Sequence, residues 1–204
     1  MLGALVPTPL KYMKDLITSV LMIVVMTVGL GILYPVAVWS VGQLVFPHQA
    51  NGSLIEREGN VIGSELIGQH FTSPGYFHGR PSAAGNGYDA ASSGGSNLGP
   101  TSSKLIDRVK TEAEALRSEN PQTQVPADLV TTSASGIDPH ISPAAADFQI
   151  MRVAKARGIS EDQLRSIVGR FTEGRQFGVL GEPRVNVLLL NLELDRASPV
   201  PSAK

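Results

Sequence analysis

Along the chain, apolar positions first run without interruption and later fall into short periodic stretches. Between Asp15 and Glu56 there are 40 residues with no Asp, Glu, Lys or Arg. Within this window residues 16–39 are almost wholly apolar. As a helix they reach about 36 Å, enough to cross a hydrocarbon core of about 30 Å with some tilt. The hydroxyls of Thr18, Ser19 and Thr27 can return to the helix backbone, so they fit such a span. A buried core helix is the alternative, but the rest of the chain is too short to surround so long an apolar rod.

A cleaved leader would have an apolar stretch of about 7–15 residues and a small-residue cleavage site. Here the stretch is longer, and Pro35, Trp39 and Phe46 stand where small residues are wanted. The pattern predicts an uncleaved anchor. Lys11 and Lys14 precede the span, and the next basic residue is Arg57. The positive-inside rule then puts the N-terminus in the cytoplasm and the remainder outside. Tyr12 lies at the inner end, and Tyr34, Trp39 and Phe46 at the outer end, as interfacial aromatics should. Thr27 and Gly31 form a small-xxx-small pair with Gly29 nearby, a face that lets another helix approach closely. Pro35 is expected to kink or end the helix.

After the span the periodicity changes. Residues 53–57 and 61–66 read as two strands around the turn Glu58-Gly59-Asn60. Residues 68–100 carry eight glycines, a long irregular segment to which Tyr76, Phe77 and Tyr88 bring something to bury. A helix capped by Ser102 or Ser103 is expected to run to about Arg117, with Leu105, Val109, Ala113 and Leu116 on one face, ended by Asn120-Pro121. A second opens with Ser142 as cap and Pro143 at its first position and runs to Gly158. A third starts at the capping box Ser160-Glu-Asp-Gln163, with Leu164, Ile167, Val168 and Phe171 on its buried stripe. Residues 185–194 alternate as a strand, Leu190, Leu192 and Leu194 inward and Asn191, Glu193 and Asp195 outward. The expected architecture is therefore α+β: a single N-terminal transmembrane helix followed by one mixed α/β extracytoplasmic domain. The domains expected are an N-terminal cytoplasmic tail at 1–15, the span at 16–39, a periplasmic domain at 47–196 and a disordered tail at 197–204.

Composition narrows the chemistry. The 204 residues carry 17% charged side chains and a formal net charge of −1. Most of the deficit is the uncharged window; beyond it charge is ordinary and mixed in sign. That balance argues against a nucleic-acid binder, which needs a basic footprint. With no cysteine, disulfides, thiolate metal sites and cysteine nucleophiles are excluded. His48, His70, His78 and His140 never fall at a close ligand spacing, so a zinc site is not expected and each reads as a surface or loop residue. Arg152, Lys155 and Arg157 read as the solvated C-terminal face of the second helix. Gly94-Gly-Ser-Asn-Leu-Gly99-Pro-Thr101 has the glycine spacing of a phosphate loop, but Pro100 stands where the lysine belongs. An ordered turn packed closely on a neighbour is the expected use. Around Ser135 the glycines of a nucleophile elbow are absent. Asp138 and His140 are near in sequence, which leaves a membrane-anchored hydrolase using Ser135 and His140 as one possibility. The plainer reading is a loop in which Asp138 and Ser142 satisfy backbone groups before a helix.

Five stretches carry a resemblance: Phe77-His-Gly-Arg-Pro-Ser82; Ala91-Ser-Ser-Gly-Gly-Ser-Asn-Leu-Gly-Pro-Thr101; Asp128-Leu-Val-Thr-Thr-Ser-Ala-Ser-Gly-Ile-Asp-Pro-His-Ile-Ser142; Gln149-Ile-Met-Arg-Val-Ala-Lys-Ala-Arg157; and Gly181-Glu-Pro-Arg-Val-Asn-Val187. Together with the span they make the chain resemble the C subunit of the Kdp-type high-affinity potassium-transporting ATPase over nearly its whole length. Residues 1–10 and those after Arg196 look like additions, and Met151 stands where the family commonly has proline. The resemblance implies a non-catalytic subunit in the bacterial inner membrane, single-pass and in contact with lipid. Its partners would be a potassium-channel-like subunit, a P-type ATPase subunit and a small single-span subunit. The anchor, through Thr27, Gly29 and Gly31, would pack on the channel-like subunit, and the exterior domain would cover its outer mouth. It also implies an alternative role as a catalytic chaperone that raises the ATP affinity of the pump subunit. Ser133, Ser135 and Gly136 would then be a loose analogue of a nucleotide signature, with Gln149 as the matching contact. No firmly bound cofactor or metal is implied, ATP entering only through the complex.

Overall fold

The computed structural model describes residues 9–199 and divides into two units at residue 53, each treated by itself. The predicted tail beyond residue 199 lies outside the described residues, as do residues 1–8.

The first unit is a helix of 36 residues, Leu10–Val45, with mean hydropathy 2.6 over its most apolar window and none of that window buried within the chain. At 1.5 Å per residue it is about 54 Å long, so it reaches beyond both ends of the predicted span. It is built of α1 (Pro9–Met26) and α2 (Tyr34–Val45), joined by a π-helical stretch, Thr27–Leu33. Pro35 explains the π stretch. In an α-helix its ring would meet the carbonyl of Gly31. Widening the preceding turn avoids that meeting, and the Tyr34 N–H reaches back five residues to the Gly29 carbonyl. Pro35 therefore alters the helix without ending it. Ser19 returns its hydroxyl to the Asp15 carbonyl at 2.8 Å, as expected. Phe46 closes the helix, and one short turn, α3 (Pro47–Ala50), follows.

The second unit opens with the expected hairpin, β1 (Leu54–Arg57) paired antiparallel with β2 (Asn60–Ser64). Its turn is Glu58-Gly59, both at positive φ. Long loops then lead to α4 (Ser103–Glu119), followed by β3 (His140–Ile141), α5 (Pro143–Arg157), α6 (Glu161–Arg170), β4 (Thr172–Glu173), β5 (Arg184–Asn186) and α7 (Val187–Ala197). The strands form a small antiparallel sheet in the order β3-β5-β4. Ser142 caps α5 through the Ala145 N–H, Gly158 ends it at φ +69°, and Ser160 and Gln163 form the capping box of α6. All three features were expected. At α4, Ser102 holds the cap position without a side-chain cap bond.

One element differs from expectation. The strand predicted over 185–194 is a strand only to Asn186; α7 takes over at Val187. The Asn186 side chain accepts from the Leu189 N–H at 3.1 Å, which caps a new helix. After Val187 come three leucines, which are good helix formers. Val187, Leu190, Asn191 and Leu194 are buried, at spacings i, i+3, i+4, i+7, while Leu192 is half-buried. The leucine alternation coincided with a helical stripe, and the stripe included a polar residue. The core lies between α5, α6, α7 and the sheet, around Phe148, Ile150, Val153, Leu164, Val185, Leu190 and Leu194, with Phe77 from the glycine-rich loop at its centre.

Candidate functional site

The glycine-rich loop is ordered because helices hold it by its backbone. Phe77 is fully buried. Its N–H donates to Asn191 Oδ1 at 2.9 Å, and its carbonyl accepts from Asn191 Nδ2 at 2.9 Å. Next along the chain, the His78 N–H donates to Gln149 Oε1 at 2.8 Å and its carbonyl accepts from Gln149 Nε2 at 3.1 Å. Successive residues of an extended segment point their amides to opposite sides. Here α7 takes one side and α5 the other. Two side-chain amides thus do what neighbouring strands do in a sheet.

Gln149 has no hydrogen-bonding capacity to spare. Its Nε2 also donates to the Ala145 carbonyl at 3.2 Å, and Arg152 Nη2 donates to its Oε1 at 2.7 Å. A ligand at Gln149 would have to displace one of these bonds.

Arg152 and Arg157 turn inward, against the expectation of a solvated face; Lys155 alone of the three is exposed. Arg152 donates to the carbonyls of Pro74 and Tyr76 at 2.7 and 3.0 Å, with Glu119 3.3 Å from its Nε. Burial lowers its pKa, and Glu119 opposes that shift. Arg157 is buried, donating to Gly75, Ser198 and Asp195 at 2.6, 2.6 and 2.9 Å. Its guanidinium lies 4.9 Å from the centre of the Tyr76 ring, whose hydroxyl donates to Asp195 at 3.0 Å. Burial, then the Asp195 carboxylate, raises the Tyr76 pKa. Because α5 passes directly under residues 74–78, its two arginines find carbonyls there that its sequence alone does not reveal. The His78 ring lies 3.1 Å from the Ser73 carbonyl, and burial first and Arg152 second lower its pKa.

The second clamp joins the loop to residues 131–140. Ser133, Ser135 and Gly136 do come together. Ser133 Oγ accepts from the Gly136 N–H at 2.9 Å and lies 3.4 Å from Ser135 Oγ, which accepts from the Ile137 N–H at 3.3 Å. The Ser135 carbonyl accepts from the Gly94 N–H at 2.8 Å and from Ser93 Oγ at 3.0 Å. Gly136 is buried at φ +68°, and a Cβ there would lie 2.6 Å from the Gly94 carbonyl oxygen and 2.7 Å from the Ala84 nitrogen. A Cβ at Gly95 would lie 3.1 Å from the Ala134 carbonyl oxygen, and the Gly94 carbonyl lies against Gly136, so this stretch packs closely on a neighbour, as the sequence suggested. Gln149 belongs to the first clamp, and none of its hydrogen bonds runs to these three residues.

Arg80 reaches over the same stretch, donating to the Thr131 carbonyl at 3.3 Å and pairing with Asp138 at 3.4 Å. Burial pushes the Asp138 pKa up, but bonds from the His140 backbone and ring, with the Arg80 charge, outweigh it and leave the pKa lowered. Asp138 and Ser142 satisfy backbone groups as expected, at His140 and Ala145. Ser135 hydrogen-bonds Ser133 and Ile137, whereas His140 hydrogen-bonds Asp138 at 3.3 Å. The two are not brought together as nucleophile and base. Tyr88 sits beneath with its pKa pushed up to about 12, by burial and then by the Asp138 charge. It donates to the Arg80 carbonyl at 2.6 Å.

Above the clamps lies an open cleft of about 420 Å³, bordered by His70, His78, Arg80, Tyr88, Glu119 and Arg152. Its two guanidinium groups are already engaged with protein carbonyls, carboxylates and Gln149. Among the described residues, no cluster of three or more His, Asp or Glu is suited to a metal ion. On the span, Thr27 and Gly31 share a face, the Cβ that Gly31 lacks falling 3.8 Å from Thr27 Cγ2.

Comparison with known proteins covers nearly the whole chain. The model of the family described as the K+-transporting ATPase c chain, KdpC, matches residues 16–196. A potassium-transporting ATPase KdpC subunit of Koribacter versatilis is 59% identical over 191 residues, covering 94% of this chain and 99% of that protein. The corresponding subunit of Myxococcus xanthus is 58% identical over 191 residues, covering 92% and 90%. That of Rhodopseudomonas palustris is 53% identical over 197 residues, covering 91% and 99%.

Proposed function

The chain belongs to the K+-transporting ATPase c-chain family, and from that premise we propose that it is a non-catalytic accessory subunit of an ATP-driven potassium uptake pump. One helix anchors it in the bacterial inner membrane, N-terminus inside and second unit outside. It stabilises the assembly of a channel-like subunit, a P-type ATPase subunit and a small single-span subunit. In this role it needs no cofactor of its own.

The observation that carries this reading is where the polar side chains are spent. Gln149, Asn191, Arg80, Arg152 and Arg157 all bind backbone carbonyls or amides of their own domain. Catalytic groups need free lone pairs or protons directed at a substrate. These groups instead fix loops, as a rigid docking body requires. Ser133, Ser135, Gly136 and Gln149 act as locks in this reading, rather than as nucleotide contacts.

The test is affinity purification of the tagged full chain from detergent-extracted membranes. Recovery of the other pump subunits in fixed proportion, and loss of high-affinity potassium uptake on deletion, are the expected results. A chain recovered alone, with uptake unchanged on deletion, sinks the proposal.

A further inference from the structure

Between β4 and β5 the chain runs Gly174-Arg-Gln-Phe-Gly-Val-Leu-Gly-Glu-Pro183, and residues 173–184 are all exposed. This segment forms a hairpin arm. Gln176 and Leu180 pair across it, the Gln176 N–H donating to the Leu180 carbonyl at 2.8 Å. Arg175 grips both carboxylate oxygens of Glu182 at 2.8 and 2.7 Å, and Arg184 pairs with Glu173 at 2.9 Å nearer the sheet. The stalk is thus polar and cross-braced.

The tip has the opposite character. Phe177 is 92% exposed, and Val179 and Leu180 are exposed beside it. Phe177 and Gly178 have φ of +53° and +76°, and the Val179 N–H closes the turn on the Gln176 carbonyl at 3.2 Å. Gln176 and Leu180 exchange both backbone bonds around the three-residue loop 177–179, and positive φ in such a loop favours Gly, Asn or Asp. A bulky aromatic there is an outlier. It is unfavourable twice, once in the backbone and once in the water-exposed ring. The isolated fold benefits from neither, which is the situation of residues held for a function elsewhere.

The geometry points to a knob: Phe177, flanked by Val179 and Leu180, seats in an apolar pocket on another protein subunit of the pump. This rests on the accessory-subunit reading. A protein pocket is favoured over lipid by charge. The braces place Arg175 and Arg184 against Glu182 and Glu173, so no net positive charge draws the tip to anionic headgroups. An aromatic anchor ringed by paired polar groups is instead the anatomy of a protein–protein hot spot.

The experiment uses the full chain expressed with its pump in native membranes. Phe177→Asn suits the turn better than the native residue, so the variant is expected to unfold at the same temperature or higher. Its recovery of the other subunits should fall about tenfold or more. A photo-crosslinking benzoyl-phenylalanine in place of Phe177 should yield an adduct with a pump subunit. Recovery by Phe177→Asn within twofold of wild type, or adducts with lipid only, overturns the knob. If the wild-type chain recovers no pump subunit, the accessory reading falls and the knob with it; normal wild-type recovery unaffected by Phe177→Asn sinks the knob alone.

Discussion

Asn191 and Phe77, 114 residues apart, exchange two hydrogen bonds of 2.9 Å in the buried core. An amide that both donates to and accepts from one residue's backbone reproduces the pairing of a β-ladder without a strand. This pairing lets a glycine-rich loop pass through the core, since buried backbone groups must be bonded.

Replacing Asn191 with Leu keeps the volume but leaves the Phe77 N–H and C=O buried and unpaired. The expected loss is about 2–4 kcal/mol, read as a lower midpoint in urea unfolding of the full chain in mild detergent. Gln149→Leu should act in the same direction through His78. A loss under about 0.5 kcal/mol for Asn191→Leu would mean that solvent reaches the segment.

How far the sequence revealed this arrangement depended on range. Capping at Ser142 and Ser160, the αL glycine at 158 and the turn at Glu58-Gly59 were all legible, because each depends on neighbours within four residues. The helix at 187–197 resembles a strand in sequence because leucines at every second position also fit a helical stripe; the signal against a strand is Asn186 at a cap position. The inward turn of Arg152 and Arg157 is not legible locally, because carbonyls 76–82 residues earlier in the chain, and for Arg157 also that of Ser198, decide their burial. Asn191 was the discoverable residue: a lone amide among leucines, spaced i, i+4 from Val187, marks a buried polar contact once the helix is recognised.

Gly136 and Gly158 have nearly the same φ, +68° and +69°. They differ in surroundings. A Cβ at Gly158 meets nothing within 4 Å, while one at Gly136 meets backbone atoms of Gly94 and Ala84 at 2.6 and 2.7 Å. Gly158→Ala should therefore cost about 1 kcal/mol, the strain of positive φ alone. Gly136→Ala adds overpacking of about 1–3 kcal/mol. Urea unfolding of the two variants separates these effects, and equal losses would contradict the close packing of the second clamp.

His78 gives stability a pH dependence of definite sign. Its folded pKa is lowered by burial and by Arg152, so below the ordinary histidine value of about 6.5 the unfolded chain binds a proton that the folded chain refuses. Stability from this source is full above that value and declines as pH falls from about 6.5 toward the lowered folded pKa. Asp138, also depressed, acts only lower, in the carboxylate range. Unfolding midpoints measured from pH 7.5 to 5 should fall for wild type, and His78→Gln should flatten that slope whatever its effect at pH 7.5. An unchanged slope would place the titration elsewhere.

Topology decides between a docking body and a nucleotide contact. Lys11 and Lys14 stand before an uncharged stretch that continues to Glu56, so the charge rule predicts the second unit outside. Cytoplasmic ATP would then have no access to Ser133, Ser135, Gly136 or Gln149. A phosphatase reporter joined after Lys204 should be active, and a fluorescent reporter that folds only in the cytoplasm should be dark. Because just two lysines set the bias, Lys11→Gln with Lys14→Gln should yield a mixed population. Inserting two lysines after Phe46 as well should shift it further toward reversal. A second unit found inside with the native lysines in place would restore the ATP-affinity role and make Gln149→Ala its direct test.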